Sequence, residues 1–236
     1  MTNDPFSTDE RRALAALTAD FTAKEIAPNL NEWEDAELIP REVHKALGDA
    51  GLLGIGYPEE VGGSGGDSID VTVLTENLLS SGGSGGAFAS LFSHGIAIPH
   101  MIDAANRRRV AGDNAGADWL LDEYVRPVLA GDKIAALGVT EPGGGSDVAH
   151  LRTRAIPDGD DWIINGAKTY ITSGVRADVV VVAARTADSG ASGVSLFAVD
   201  TSLPGFKVTR KLQKMGWDCS DAAGVAFVDL RGPSEA

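Results

Sequence analysis

The spacing of apolar residues changes near residue 134, and this switch limits the fold more than any other feature of the chain. Up to that point apolar residues recur every three to four positions; from Ile134 onward they recur every second position. The first pattern builds helices with one buried stripe and the second builds strands with one buried face. The predicted fold class is therefore α+β, with an N-terminal all-α helical domain over residues 1–133 and an antiparallel β-barrel domain over 134–232. No helical pattern alternates with the strands, which excludes a Rossmann sheet.

Within the first half, Ser7-Thr8-Asp9-Glu10 has the form of a capping box ahead of Leu14, Leu17 and Phe21, and Pro28 is expected to end that helix. A second helix starts near Pro40, carries Val43, Leu47 and Ala50 on one face, and stops at Gly51. A third follows Asp67 or Ser68, with Val71, Leu74 and Leu78 in line. Further helical stretches cover Ala87 to Ala105, interrupted at Pro99, and Ala117 to Ala130, interrupted at Pro127. Two glycine-serine patches, 62–66 and 82–86, lack a preceding strand and a Gly-Lys-Ser/Thr ending, so they read as flexible connections and not as phosphate loops. Arg107 to Asp118 reads as an exposed polar loop whose basic run is a solvated face.

In the second half, Asp178–Ala184, Val194–Asp200 and Val225–Leu230 read as strands. Asn165-Gly166, flanked by Trp162-Ile163-Ile164 and Thr169-Tyr170-Ile171, signals a hairpin, and Pro157-Asp158-Gly159-Asp160 supplies another turn.

Charge narrows the choice of partners. Twenty basic against 34 acidic residues give a net charge of −14, which repels nucleic acid and anionic membranes but leaves small anionic ligands possible. Cys219 is the single cysteine, so neither an internal disulfide nor a cysteine metal cluster can form. The four histidines, His44, His94, His100 and His150, show no metal-ligand spacing. No apolar stretch approaches a membrane span and the N-terminus is polar and acidic, so a cytoplasmic protein without membrane insertion is expected.

The segment Leu137-Gly-Val-Thr-Glu-Pro-Gly-Gly-Gly-Ser-Asp147 leaves a strand for a loop in which three glycines let the backbone approach a ligand. A simple turn is the alternative on spacing alone. Glu141 and Asp147 are read as turn and capping residues and not as an acid-base pair.

Val139-Thr-Glu-Pro-Gly-Gly-Gly-Ser-Asp147, Ile163-Ile-Asn-Gly-Ala-Lys-Thr-Tyr-Ile-Thr172 and Met215-Gly-Trp-Asp-Cys-Ser-Asp221 together resemble the middle domain of the acyl-CoA dehydrogenase family. Tyr57-Pro-Glu-Glu-Val-Gly-Gly-Ser-Gly65 and Ser93-His-Gly95 resemble its N-terminal helical domain. The resemblance implies an FAD-dependent enzyme that removes the α and β hydrogens of an acyl-CoA thioester and passes electrons to an electron-transfer flavoprotein. Carried over by position, Leu137, Val139 and Thr140 lie beside the isoalloxazine ring, and Gly145 and Ser146 approach the flavin diphosphate or the CoA arm. Tyr170 covers the flavin face where many members have tryptophan, and Ile171 and Thr172 complete the cofactor set, with Thr172 near flavin N5. Ser93 and His94 fall in the stretch that borders the acyl pocket and join Ser146 as implied substrate-binding residues. A barrel-core role for Tyr170, ordinary strand roles for Thr140 and Thr172, and a core or surface role for His94 stay open.

Family members continue into a C-terminal helical domain that supplies the carboxylate base, and residues 233–236 fall where that domain begins. The expectation is that this chain holds no catalytic residue of its own, that Glu235 is no substitute, and that the polypeptide alone is inactive and poorly soluble. When complete it is expected to form a homotetramer or heteromer. Alternatives are a noncatalytic flavin- or CoA-binding partner subunit, or a same-fold acyl-CoA oxidase or flavin monooxygenase.

Overall fold

The computed structural model describes residues 7–187 and 190–233. Residues 234–236, Glu235 among them, lie outside the described residues.

Helix α1 (Asp9–Phe21) begins at Thr8, whose side chain accepts the Arg11 N–H at 3.2 Å. The reciprocal capping box forms instead at α4 (Ser68–Ser80), where Asp67 and Asp70 each satisfy the other's backbone. Arg11 joins the two helix starts through ion pairs to Asp67 at 2.9 Å and Asp70 at 2.8 Å. Pro28 does not end the helical path. After α1 the chain passes through a wide π turn, Thr22–Ile26, and a tight turn, Ala27–Asn29, into α2 (Leu30–Ala36). Pro28, and likewise Pro99 and Pro127, stands in the first turn of its segment, where the missing N–H is an orphan in any case. Helix α3 (Arg41–Asp49) is followed by Gly51 at φ 73°, as its sequence requires.

The expected loop at 107–118 is helical for most of its length. Helix α5 (Gly85–Leu91) leads to α6 (Ile98–Val110), which carries the basic run, and α7 (Asn114–Leu120) follows after a short turn, with α8 (Arg126–Leu129) beyond it. Arg107, Arg108 and Arg109 pair with Asp103, Asp113 and Asp118, each at 2.8 Å, so local ion pairs neutralise the run.

Among the described residues seven strands form one curled mixed sheet: β1 (Ala135–Gly138), β2 (Arg154–Asp158), β3 (Asp161–Thr172), β4 (Val179–Arg185), β5 (Val194–Asp200), β6 (Phe206–Lys211) and β7 (Ala222–Pro233). Their order is β1-β4-β2-β3-β7-β6, with β5 also on β4. Most pairs are antiparallel, as the alternation suggested. The exceptions are β1 on β4, running parallel from Ala135↔Val179 to Gly138↔Val182, and a parallel bridge Arg154↔Arg185. The sequence of β4 carries the reason: its unbroken apolar run is buried from Val179 to Ala184, the pattern of a strand covered on both faces. Asn165-Gly166 makes no hairpin. It lies inside β3 at a bulge against β7, because the tight turn has already been made at Gly159, φ 67°, between β2 and β3.

Packing divides the chain into two units. One takes the described residues of Met1–Phe92, Val125–Asp132 and Lys214–Ser220, and the other those of Ser93–Tyr124, Lys133–Gln213 and Asp221–Ala236. Thus α6 and α7 group with the sheet, and the segment holding Met215 to Cys219 groups with the helices. The helical unit centres on Ile26, Trp33, Leu47, Leu53, Leu78 and Cys219. The sheet unit centres on Ile164, Ile171, Val180, Phe197, Val225 and Phe227.

Candidate functional site

Three local devices converge where β1 ends. The first is the loop from Thr140 to Thr153. Glu141 and Gly144 exchange backbone hydrogen bonds of 2.9 and 3.1 Å, which makes Pro142 and Gly143 the centre of a tight turn. The Glu141 carboxylate accepts the Arg152 N–H at 2.6 Å and the Thr153 N–H at 2.8 Å, so one side chain joins the start of the loop to its end. Between these anchors Gly143 to Ser146 are exposed. A Cβ built on Gly143 or Gly144 meets nothing within 4 Å, and neither residue has a positive φ. Neither packing nor backbone conformation of the chain itself demands glycine there.

The second device is a buried ion pair. Lys168, with its side chain wholly buried, places Nζ 2.9 Å from Glu141 Oε1 and 3.1 Å from the Val139 carbonyl. Burial pushes the Glu141 carboxyl up, but hydrogen bonds from Thr153, the Arg152 N–H and Lys168 outweigh it and hold the group down at about 2. Burial also lowers Lys168 from its ordinary value, against the pull of Glu141. Glu141 is thus more than a turn residue. Lys168 could have been found from parity: period two from Ile164 puts residue 168 on the core face, where a lysine needs a partner. Asp147 does serve as a local anchor, with its carbonyl accepting the His150 N–H at 3.2 Å and its carboxylate 2.7 Å from His150 Nδ1.

The third device is a strained bulge. The β3–β7 register shifts between Lys168 and Ile171, and the Thr169 N–H turns to the Thr140 carbonyl at 2.8 Å. Tyr170 and Ser173 both take φ 60°, the left-handed region that non-glycine residues enter at a cost and that clusters at functional sites. Tyr170 is 71 % exposed, so the core alternative for it is overturned. A cleft of about 350 Å³ opens beside the ring, lined in part by Pro142, Lys168, Thr169, Tyr170, Thr209 and Arg210.

The remaining residues divide by exposure. Leu137, Val139, Thr140 and Thr172 are half-buried around the loop and bulge, while Gly145 and Ser146 are exposed. Ile171 sends its side chain into the sheet core, so only its main chain can serve a ligand. Ser93 and His94 are buried. The Ser93 hydroxyl donates to the Ala135 carbonyl at 3.1 Å and accepts from the Ser173 hydroxyl at 2.9 Å, and so it braces the wall of the site. The Ser173 N–H donates to the Asp221 carbonyl, and the Asp221 carboxylate accepts from the Val175 N–H at 2.9 Å and from Arg176 at 2.7 Å. Sequence reasoning gave Asp221 no role beyond its place in the Met215–Asp221 motif and passed over Arg176, since no local pattern reveals the burial of either. Among the described residues no cluster of His, Cys, Asp or Glu could hold a metal ion, and no helix is long and apolar enough to cross a membrane.

Comparison with known proteins gives a consistent match. Residues 8–108 match the family description "Acyl-CoA dehydrogenase, N-terminal domain" and residues 136–230 match "Acyl-CoA dehydrogenase, middle domain". The mitochondrial long-chain specific acyl-CoA dehydrogenase of Mus musculus is 39% identical over 219 residues, which are 92% of this chain and 48% of that protein. This chain therefore spans about half the length of the curated relatives it matches. The crystal structure of a probable acyl-CoA dehydrogenase from Mycobacterium abscessus is 54% identical with a TM-score of 0.89, covering 98% of this chain and 58% of that one. A glutaryl-CoA dehydrogenase from Mycobacterium smegmatis, solved in complex with FADH2, is 28% identical with a TM-score of 0.84 and covers all of this chain and 56% of that one.

Proposed function

Because the chain belongs to the acyl-CoA dehydrogenase family, we propose that its glycine loop and strained bulge form the flavin-facing wall of an FAD-dependent acyl-CoA dehydrogenase. The observation that carries this reading is the pair Gly143 and Gly144, which have no steric or conformational reason within the chain to be glycine. Glycines exposed beside a strained aromatic residue fit a ligand whose atoms come closer to the backbone than any Cβ would permit. When bound, FAD supplies the hydride acceptor for oxidation of an acyl-CoA and the route for electrons onward to an electron-transfer flavoprotein.

The chain's own residues would bind and orient that group. Tyr170 covers a ring face and excludes water, while Leu137 and Val139 border the ring edge. Thr140, Thr172 and the Ile171 main chain offer polar groups where reduction raises negative charge. Gly145 and Ser146 lie where a diphosphate or a CoA arm can approach. Ser93 acts on substrate only through the wall it braces, and His94 stays beside it as a candidate border of the acyl pocket. No residue of this chain is assigned as the α-proton base. Glu141, held at about 2 by its hydrogen bonds, is too weak a base and too fully engaged for that task. Assembly as a homotetramer or heteromer belongs to the same proposal.

Titration of FAD into the 236-residue chain, followed by quenching of flavin fluorescence and by the visible spectrum, tests the reading. Saturable binding is expected, and Tyr170→Ala should weaken it about tenfold, the value of one good aromatic stack. A wild-type chain that leaves the flavin spectrum unchanged would sink the proposal.

A further inference from the structure

The Glu141–Lys168 pair asks for an explanation beyond stability. A buried ion pair gains little over apolar residues of the same volume, because desolvation cancels much of the attraction. What this pair does have is connectivity. Lys168 Nζ reaches the Val139 carbonyl and Glu141, and Glu141 reaches the N–H groups of Arg152 and Thr153. The next residue along β3, Thr169, donates to the Thr140 carbonyl, and the residue after it is Tyr170 at φ 60°. Both ends of the glycine loop and the bulge that carries the aromatic ring are therefore tied to one pair of charges. Pro142, Lys168 and Tyr170 line the same cleft.

We infer that Glu141 and Lys168 are positioning residues that hold the glycine loop and the Tyr170 bulge as one preorganised unit, so that a planar ligand meets ring and backbone already set in register. The inference deepens the flavin reading and rests on it for the identity of the ligand, though not for the geometry. The bulge is where such a device is needed. Two successive residues leave the β7 ladder there, and a left-handed tyrosine persists only where its surroundings over-determine it. The lysine is fixed by burial and its partner by three donors, whereas Gly143 and Gly144 in the middle of the loop face open space. The unit is thus rigid at its ends and open at its centre.

The test uses the 236-residue chain labelled with 3-fluorotyrosine. The sequence holds three tyrosines, Tyr57, Tyr124 and Tyr170, so three fluorine resonances are expected, each assigned by a tyrosine-to-phenylalanine variant. In Lys168→Met the Tyr170 resonance should shift or broaden while Tyr57 and Tyr124 stay in place. Should that variant fail to fold, the double variant Glu141→Gln with Lys168→Met leaves no unpaired buried charge and carries the same expectation. Tyr170 unchanged in the folded double variant, or all three resonances moving together, would overturn the positioning role. FAD titration of the same samples separates this inference from the flavin reading. Loss of flavin affinity by about tenfold together with the Tyr170 change supports both. A Tyr170 change in a protein whose wild type binds no flavin leaves the positioning role standing and removes the flavin reading.

Discussion

Two glycine-rich segments of nearly the same composition, 62–66 and 143–146, hold glycines in opposite surroundings, Gly63 in the first and Gly143 and Gly144 in the second. In the first, a Cβ on Gly63 would lie 2.1 Å from the Tyr57 carbonyl oxygen, and Tyr57 and Gly65 face each other as an isolated bridge. The chain passes so close to itself that only glycine fits. In the second, Gly143 and Gly144 face open space. A glycine that the fold consumes is structural; one that the fold leaves unused is available to something else. Composition cannot separate the two cases, since both segments read alike as sequence, and only the distance to the nearest neighbour does so.

The comparison is easiest to break at its packed end. Gly63→Ala forces a methyl group into backbone that has no room to move, so we expect a loss of about 3 kcal/mol in urea unfolding. A change within about 0.5 kcal/mol would mean that the close approach relaxes cheaply and that the packed segment is no different in kind from the open one.

Acid titration sharpens the contrast between the ends of the open loop and its middle. Glu141 is held at about 2 in the folded chain, against an ordinary 4.5. Its folded-state value is depressed, so its contribution is fully present above about pH 5 and disappears as pH falls through 4.5 toward 2. About 3 kcal/mol is the scale of that contribution. Urea unfolding of wild type and Glu141→Gln across this range should show the two stabilities converging as pH falls, because the variant lacks the group that titrates. Parallel curves would mean that the carboxylate does not anchor the loop.

How much of this could be read from the sequence depended on whether the deciding contact was local. The end of α3 at Gly51, the start of α4 at Asp67 and the strand Val194–Asp200 were legible because caps, turns and alternation act within a few residues. Strand β6 escaped notice, since Phe206–Lys211 is an exposed edge with little apolar alternation. Asn165-Gly166 misled because a hairpin signal and a bulge use the same residues, and the choice between them was made by β7, some 60 positions away. The glycine patches 62–66 and 82–86 looked like flexible linkers but are tightly packed: Ser84 caps α5, and a Cβ on Gly86 would come within 3.2 Å of Trp217. Of the site, the loop and the aromatic position were visible as motifs. The Glu141–Lys168 tie was not, because it joins residues 27 apart in sequence, although the parity of Lys168 on a buried face did ask for a partner.

The smallest expected effect is the most telling. Gly143 and Gly144 sit in and after a turn that needs no positive φ, and a methyl group on either would point into open space. Gly143→Ala and Gly144→Ala should therefore leave urea unfolding within about 0.5 kcal/mol of wild type, or raise stability slightly by restricting the unfolded chain. Flavin affinity should fall in the same variants, because the methyl group would occupy the space reserved for ligand atoms. Loss of binding without loss of stability is a combination that Gly63→Ala cannot produce, since there the fold itself yields first. If both loop variants keep wild-type stability and wild-type flavin binding, the open glycines serve neither the fold nor the flavin, and the contrast between the two segments loses its functional meaning.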